Sequence, residues 1–318
     1  MTKRIESLQT LPRVSDSWTF LYVEHVRIER QDNAVAVIDK ERTVLLPVAQ
    51  LSCILVGPGS TVTHGAMSMI AETGCSVLWC GESAVRVYAA GGGETRFSRN
   101  LETQVKMWAN DESRLLVAQR MYAMRYRDDD EVFSLPLVQL RGREGVRVRK
   151  VYAQASAEYG VKWHGRSYDP LDWNAGDPLN KALNTAHMCL YGICHAAIVA
   201  IGMSTGLGFV HTGHLLSFVW DIADLYKSDV TIPIAFRCVK EGDKKLETRV
   251  RRACRDAFRE QRILTRIVPD IQRLFDMPTE KVRHLDMTID DIGSLALWDD
   301  EGGTVPGGTN YAPELTDE

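Results

Sequence analysis

The positions of the apolar residues divide the chain into a strand-like first part and a helical second part. Most of the first 92 residues consist of short runs of β-branched and aromatic residues, separated by Gly, Pro and Asn. This pattern is typical of strands joined by turns. We predict strands over residues 20–23, 26–28, 34–38, 43–46, 51–56, 75–80 and 84–88. One helical pattern, residues 63–73, lies among them and ends at Gly74.

After the glycine run at residues 91–93, the apolar residues recur at intervals of three and four, which predicts helices. The helices are expected near residues 96–110, 112–127, 135–160, 178–203, 217–228, 233–240 and 245–268. The end of the chain is acidic, contains Gly and Pro, and has few core-forming residues, so we predict that it is disordered. The predicted fold class is therefore α+β: an N-terminal, mainly β-sheet domain (residues 1–92), an all-α domain that holds the candidate catalytic residues (93–285) and an acidic tail (286–318).

Composition places the chain among ordinary globular proteins, with 45% hydrophobic and 25% charged residues in a total of 318. No apolar run reaches the roughly 18 residues that would span a membrane. The N-terminus lacks the apolar region of a signal peptide. The seven cysteines do not form C-x-x-C pairs. We therefore expect buried, reduced thiols in a cytoplasmic protein that does not act at a membrane.

The net charge of −4 hides an uneven distribution of charged residues. Residues 286–318 contain nine acidic residues and neither Lys nor Arg, so the remaining 285 residues have 38 basic and 33 acidic side chains and a net charge of +5. A mildly basic body is compatible with a polyanionic partner such as DNA. The charge alone does not select one, because many enzymes have a similar balance.

The stretch from Gly208 to Asp224 reads as a glycine-flanked loop that leads into a helix, with Ser217 as the expected N-cap. Asp221 and Asp224 are three residues apart and thus share one helix face. His211 lies on the loop that enters this helix. Two neighbouring carboxylates repel each other unless a cation offsets them, and a divalent metal is one such cation. A solvated helix face with an unrelated histidine is the alternative.

Glu144 is predicted to lie within an apolar stripe of the helix at residues 135–160. A buried carboxylate is costly unless it is paired or bound to a metal. Because arginines surround it in the sequence, a buried Glu–Arg pair is the structural alternative. Glu144, His211, Asp221 and Asp224 together offer three carboxylates and an imidazole, which suit magnesium or manganese. A metal in such a site favours in-line displacement at a phosphodiester.

Two further regions have the composition of a nucleic-acid surface. The predicted helix 245–268 contains many arginines, including Arg251, and one face of it could position phosphates or simply be solvated. The loop that contains Trp163, Tyr168 and Trp173 places aromatic residues among basic ones. Such aromatics can stack on unpaired bases or can cap the core.

Several segments resemble the CRISPR-associated spacer-acquisition integrase, the first of the Cas proteins. The segments are Leu140–Arg149 (LRGREGVRVR), Gly208–Gly213 (GFVHTG), Leu216–Asp224 (LSFVWDIAD), Tyr168–Trp173 (YDPLDW) and Cys189–Gly192 (CLYG). The last two are similar to the type I-E subfamily in particular. The resemblance extends from about residue 13 to about residue 275. It implies a β-sheet domain followed by a helical catalytic domain, in agreement with the apolar pattern.

The resemblance also implies the activity and the metal site. The expected protein is a metal-dependent DNA endonuclease and integrase, which inserts prespacer DNA into the CRISPR array by attack of a 3′-hydroxyl on a phosphodiester. Glu144, His211 and Asp224 would bind magnesium or manganese, and Asp221 would complete the catalytic set. The family often has Lys after the His-Thr-Gly motif, whereas this chain has His214.

The implied partners are a second copy of the chain, a dimer of the second Cas protein, the CRISPR repeat, and double-stranded DNA with single-stranded 3′ ends. The expected DNA-binding residues are Arg86, Arg251, Tyr168 and Trp173. Two alternatives remain at this stage: a DNA-binding scaffold with an idle metal site, and a metal-dependent hydrolase of a small phosphate ester.

Overall fold

In the described part of the chain, the strands of the first part precede every helix but one. The computed structural model describes residues 20–48, 51, 53–82, 87–91, 98–126, 129–166, 177–277, 296–299 and 303–306. The chain divides into two compact units, Met1–Thr279 and Glu280–Glu318. The predicted α+β class, with strands first and helices after them, is confirmed. The domain borders at residues 92 and 285 stay predictions.

The strands of the first unit form two four-stranded sheets. They are β1 (Phe20–Val23), β2 (Arg27–Gln31), β3 (Ala34–Ile38), β4 (Thr43–Leu46), β5 (Cys53–Val56), β6 (Thr61–Val62), β7 (Ser76–Cys80) and β8 (Val87–Gly91). One sheet has the order β1-β5-β7-β8, with Phe20 paired to Cys53 and only the β7–β8 pair antiparallel. The other has the order β4-β3-β2-β6. All four residues of β5 are buried, which explains its unbroken apolar sequence.

Helix α1 (His64–Glu72) packs on these strands through Ala66 and Ile70, which are fully buried in one cluster with β2, β5 and β7. The hydroxyl of Thr63 accepts a hydrogen bond from the N–H of Ala66 and caps the helix. The helix ends before Gly74, as the sequence predicted, and Gly74 adopts a left-handed φ of 73°.

The remaining helices enclose the largest hydrophobic core. They are α2 (Arg99–Ala109), α3 (Asp111–Ala123), α4 (Leu137–Tyr159), α5 (Pro178–Ala200), α6 (Ser217–Ala223), α7 (Ile232–Lys240), α8 (Leu246–Glu260) and α9 (Ile263–Leu274). A 3₁₀ helix, Asp130–Ser134, precedes α4, and a π-helical turn, Lys227–Thr231, precedes α7.

Helix α5 is the centre of the fold. Most of its residues are buried among the other helices, and Ala196 and Ala200 near its end pack against β5 and β7. By length and composition α5 would also qualify as a membrane span, but 72% of its most apolar window is buried inside the protein, as in a core helix. The Asp177 carboxylate caps its first turn, and Pro178 occupies the first helical position.

The predicted helices 245–268 and 217–228 do not continue unbroken to their predicted ends. The stretch 245–268 is divided between α8 and α9, because Arg262 adopts a left-handed φ of 49°. The helix predicted for 217–228 ends at Ala223. Ser217 is not its N-cap: Leu216 holds that position, and the Ser217 hydroxyl donates to the carbonyl of His214.

The second unit contains a hairpin that the sequence did not predict. Strands β9 (Ala296–Asp299) and β10 (Gly303–Pro306) pair antiparallel, with Ala296 opposite Pro306. The prediction that residues 286–318 form a disordered tail stays a prediction.

Candidate active site

The loop that carries His211 is folded around the carboxylate of Asp221. This carboxylate is fully buried and accepts hydrogen bonds from the backbone N–H groups of Phe209, Val210 and His211 at 2.6, 3.1 and 2.9 Å. Its Oδ1 also lies 2.7 Å from Nδ1 of His211. With the proton of the imidazole on Nδ1, the Nε2 lone pair is left for another ligand. Asp221 therefore sets both the course of the loop and the orientation of the imidazole.

The surroundings of His211 shift its protonation equilibrium toward the imidazolium form. The hydrogen bond to Asp221 raises the pKa of His211 above its ordinary value, and this effect exceeds the opposing effect of burial. The negative charges of Asp224 and Asp221 act in the same direction. The carboxylates of Asp221 and Asp224 thus stabilise a positive charge on the imidazole.

Helices α2 and α3 hold the start of this loop. Gln104 of α2 is fully buried, and its amide donates to the carbonyls of Ser204 and Leu207 and accepts from the N–H of Ser204. The indole N–H of Trp108 in α2 and the guanidinium of Arg114 in α3 both donate to the carbonyl of Gly208, at 3.0 and 3.2 Å. These bonds satisfy backbone groups that a buried loop would otherwise leave unpaired.

Gly208 is required by the close approach of the backbone. A Cβ atom at this position would lie 2.4 Å from the carbonyl oxygen of His211 and 2.7 Å from Cβ of Ser217. The loop could not close over Asp221 with any larger residue here.

Glu144 lies on α4 and is surrounded by donors. Arg147 approaches it as a fork, with Nε 2.9 Å from Oε2 and Nη2 2.9 Å from Oε1. Arg125 donates from Nη1 at 3.3 Å, and the hydroxyl of Tyr126 donates at 3.2 Å. Burial tends to raise the pKa of Glu144, but Arg147 and Arg125 outweigh it and hold the pKa below its ordinary value. The Glu–Arg pair considered from the sequence is therefore present.

Asp224 follows α6 and pairs with a lysine of the same turn. Nζ of Lys227 is 2.6 Å from Oδ1 of Asp224 and lies 4.9 Å from the centre of the Tyr191 ring. Burial tends to raise the pKa of Asp224. The positive charges of Lys227 and, to a smaller extent, Arg125 outweigh burial, so the pKa of Asp224 lies below its ordinary value. Arg125 thus acts on both Glu144 and Asp224.

The donor set fits a hard divalent cation in its chemistry. Glu144 and Asp224 offer carboxylate oxygens, and His211 offers Nε2, a combination that magnesium and manganese accept. Asp221 is a poor ligand, because both of its oxygens are already used by the loop. Within the described residues, no three His, Cys, Asp or Glu side chains lie close enough to hold a metal as they stand. Arg and Lys side chains neutralise the two carboxylates instead.

Comparison with known proteins agrees with the resemblance found in the sequence. Residues 136–255 match the family profile described as CRISPR associated protein Cas1. The CRISPR-associated endonuclease Cas1 of Clostridium sp. (strain SY8519) is 45% identical over 310 residues, which cover 96% of this chain and 100% of that protein. The chain belongs to the Cas1 family.

Two further matches support this assignment. CRISPR-associated endonuclease Cas1 2 of Thermus thermophilus is 46% identical over 96% of this chain and 93% of its own length. The solved structure of the TtCas1–DNA complex has a TM-score of 0.76 and 48% identity, and the match covers 83% of this chain and 99% of that one. The Cas1 family matches therefore include both the strand region and the helical region.

The residues predicted to bind DNA are only partly described. Arg86, Tyr168 and Trp173 lie outside the described residues. Arg251 lies on α8, where its guanidinium is 3.4 Å from Glu82 and 3.7 Å from Glu247. Its role in binding DNA stays a prediction.

His214, the residue found where the family often has Lys, lies on the exposed part of the His211 loop. Its ring stacks on Trp220 with 4.6 Å between the ring centres and 25° between the planes. Trp220 also contacts the ring of His211 edge-on. His214 and Trp220 therefore cover one side of the loop segment that carries His211, the candidate metal ligand.

The residues of the site that the sequence analysis missed include Lys227, Gln104 and Arg125. Lys227 could have been found, because a lysine three residues after Asp224 shares its helical face. Gln104 and Arg125 could not, because they come from distant segments and only the tertiary fold brings them to the loop and to Glu144.

Proposed function

We propose that this Cas1 protein is a divalent-metal-dependent DNA endonuclease and integrase that inserts prespacer DNA into the CRISPR array. The observation that carries the proposal is the buried Asp221 carboxylate, which holds the loop and the imidazole of His211, with Oδ1 2.7 Å from Nδ1. The charges are consistent with one site: Arg125, which donates to Glu144 at 3.3 Å, lowers the pKa of both Glu144 and Asp224, and Asp224 raises the pKa of His211. Two proteins named as CRISPR-associated endonucleases of the Cas1 family are 45% and 46% identical to this chain over 96% of its length. This similarity supports an endonuclease activity.

In the proposed reaction, the 3′-oxygen of the prespacer forms a bond to phosphorus at the border of the repeat, and one bridging P–O bond breaks. Magnesium or manganese, held by Glu144, Asp224 and Nε2 of His211, would stabilise the negative charge that develops on the phosphoryl oxygens. Asp221 keeps His211 in the required orientation. Lys227 and Arg125 add fixed positive charge beside Asp224 and Glu144, and the remaining task of the protein is to position the strands.

The proposed substrate is a duplex with single-stranded 3′ ends, together with the CRISPR repeat. Arg86, Arg251, Tyr168 and Trp173 are the proposed DNA contacts, and the TtCas1–DNA complex supports DNA as the ligand class. We propose a homodimer that acts with a dimer of the second Cas protein. The YDPLDW and CLYG segments support the type I-E subfamily. The seven cysteines are free and buried, which supports a reducing compartment, the cytoplasm.

The test is integration of a labelled duplex with 3′ overhangs into a supercoiled plasmid that bears a repeat, in the presence of manganese and the second Cas protein. Glu144→Gln removes the charge of the ligand and keeps its shape. Glu131→Gln is the matched control, because Glu131 is an exposed carboxylate paired with Arg143. We expect Glu144→Gln to lose at least about 100-fold in joining rate and the control to retain it.

Other outcomes would select the alternatives. Joining by Glu144→Gln at the wild-type rate would favour a scaffold with an idle site. Metal-dependent cleavage of a small phosphodiester, without dependence on DNA or on the second Cas protein, would favour a small-ester hydrolase. Circular dichroism of both variants verifies that the loss of activity does not reflect unfolding.

A further inference from the structure

The guanidinium groups of Arg125 and Arg147, which neutralise Glu144, differ in how deeply their side chains are buried. The Arg147 side chain is 21% exposed, whereas the Arg125 side chain is 3% exposed. Arg147 lies one turn after Glu144 on α4. Arg125 lies in the turn after α3, against the ring of Tyr122. We therefore expect Arg147 to move into solvent more readily than Arg125.

The carboxylate of Glu144 has no place left for a metal in this arrangement. Oε1 receives Nη1 of Arg125 and Nη2 of Arg147, and Oε2 receives Nε of Arg147 and the hydroxyl of Tyr126. Two carboxylate oxygens offer about four lone-pair sites in total. A metal can therefore bind Glu144 only after at least one donor has moved away.

Arg125 is the donor least able to leave. It is buried next to both Glu144 and Asp224, and its Nε and Nη2 have no hydrogen-bond partner within the part of the chain that the structure describes. A buried guanidinium that lost its one bonded carboxylate would be an uncompensated charge, which is strongly unfavourable. We therefore expect Arg125 to stay in place when a metal binds.

Arg147 is more exposed, although its guanidinium also lies over an aromatic ring, 6.0 Å from the centre of Tyr126. It supplies two of the four donors, so its departure alone frees one site on each oxygen. Its long side chain reaches the surface, and the negative charge of Asp229 acts on it as well. A flexible, partly exposed Arg can exchange its carboxylate partner for water at moderate cost.

We propose that Arg147 is a positioning residue that exchanges with the divalent metal: its fork holds Glu144 while the metal is absent and moves away when the metal binds, whereas Arg125 remains. This inference rests on the proposed metal-dependent function. Metal binding has to overcome the Arg147–Glu144 pair, so the pair weakens metal affinity and keeps the metal-free site folded.

The experiment is calorimetric titration of the full chain with Mn²⁺ in the absence of DNA. Arg147→Gln is compared with Arg143→Gln, a control on the same helix whose guanidinium pairs with Asp129 and Glu131 at 3.0 and 2.9 Å. We expect Arg147→Gln to bind Mn²⁺ about tenfold more tightly than the wild type, because a charge-assisted competitor is gone. Arg143→Gln should bind like the wild type. Equal or weaker binding by Arg147→Gln would overturn the proposal.

Thermal unfolding gives a second measurement that needs no activity. Without metal, Arg147→Gln should lower the melting temperature, and adding Glu144→Gln to it should cost less than the two single changes together, since the pair is broken only once. Mn²⁺ should raise the melting temperature of Arg147→Gln more than that of the wild type. Arg147→Lys, which retains the charge but not the fork, should lie between the two and replaces Arg147→Gln if that variant does not fold.

The outcomes separate this inference from the proposed function. If Mn²⁺ binds the wild type and Glu144→Gln abolishes binding, but Arg147→Gln and Arg147→Lys gain nothing, the metal site stands and only the exchange is refuted. If Mn²⁺ neither binds nor stabilises the wild type, Arg147→Gln or Arg147→Lys, both the proposed metal dependence and the exchange are refuted. If Mn²⁺ binds Arg147→Gln but does not bind the wild type, the exchange of Arg147 with the metal receives its strongest support.

Discussion

Asp221 and Asp224 are three residues apart in the sequence, yet the fold gives their carboxylates different tasks. Asp221 is fully buried and accepts four hydrogen bonds from the His211 loop. Asp224 is partly exposed and pairs with Lys227. Helical spacing predicted that both would lie near His211. It could not predict which of them the loop would enclose, because that depends on backbone N–H groups that the sequence pattern does not reveal.

Asp221→Asn should destabilise the protein by about 3 kcal/mol, because an amide offers one acceptor oxygen where the loop needs two charged ones. Urea unfolding monitored by circular dichroism measures this loss. Asp256→Asn is the control, since Asp256 is an exposed partner of Arg255 and should change stability by less than about 0.5 kcal/mol. Equal effects of the two substitutions would contradict the structural role of Asp221.

At the scale of elements, the sequence predicted most helices but not the breaks between them. The stretch 245–268 is divided at Arg262, a non-glycine residue whose backbone adopts the left-handed conformation. Apolar spacing carries no information about such a position. The pairing of elements was equally hidden. Helix α2 was predicted from its own periodicity, whereas its function in holding the loop before α6 depends on Gln104 and Trp108.

Gln104→Leu should loosen the loop and leave α2 in place. The substitution keeps the approximate side-chain size and removes three hydrogen bonds to Ser204 and Leu207, so we expect faster hydrogen exchange of the amides of residues 209–211 and a loss of about 2–3 kcal/mol in stability. Exchange followed by mass spectrometry measures the local effect.

Gln119→Leu is a matched control for that experiment. Gln119 is also buried, but it donates to the carbonyls of Phe133 and Leu135, in the segment between α3 and α4. We expect a similar loss of stability without faster exchange at residues 209–211. If both variants loosened residues 209–211 equally, the loop would depend on general stability and not on Gln104.

At the scale of the whole molecule, helix α5 connects regions that the sequence divided at residue 92. Its residues contribute to the large helical core, and Ala196 and Ala200 share a cluster with Cys53 and Leu78 of the sheet. The change from strand to helix periodicity located the border in the sequence. Periodicity could not indicate that one helix would pack on both sides of it.

The same helix makes the stability of the molecule sensitive to acid. His187 of α5 is buried, and burial lowers its pKa well below the ordinary value, with Lys227 and Arg166 acting in the same direction. His187 thus stays neutral in the folded protein but takes up a proton in the unfolded chain below a pH of about 6.5. Stability should therefore fall as the pH is lowered through that value.

We expect the wild type to lose about 1 kcal/mol more than His187→Gln between pH values of about 6.5 and about 5.5. Chemical unfolding at both pH values measures the difference. His164→Gln, which changes an exposed histidine, should lose as much as the wild type. Parallel pH profiles for wild type and His187→Gln would show that His187 is not the acid-sensitive group.

The π-helical turn Lys227–Thr231 has a consequence for how the length of this chain can vary. A π turn holds one residue more than an α turn, and α7 continues directly from it. Removing one residue here would convert the π turn to an α turn and leave α7, with Phe236 in the core, in its present orientation. A deletion within α7 itself would instead rotate the residues after it by about 100°. The π turn is therefore the place between Asp224 and Phe236 where the length of the chain can change by one residue without moving the core.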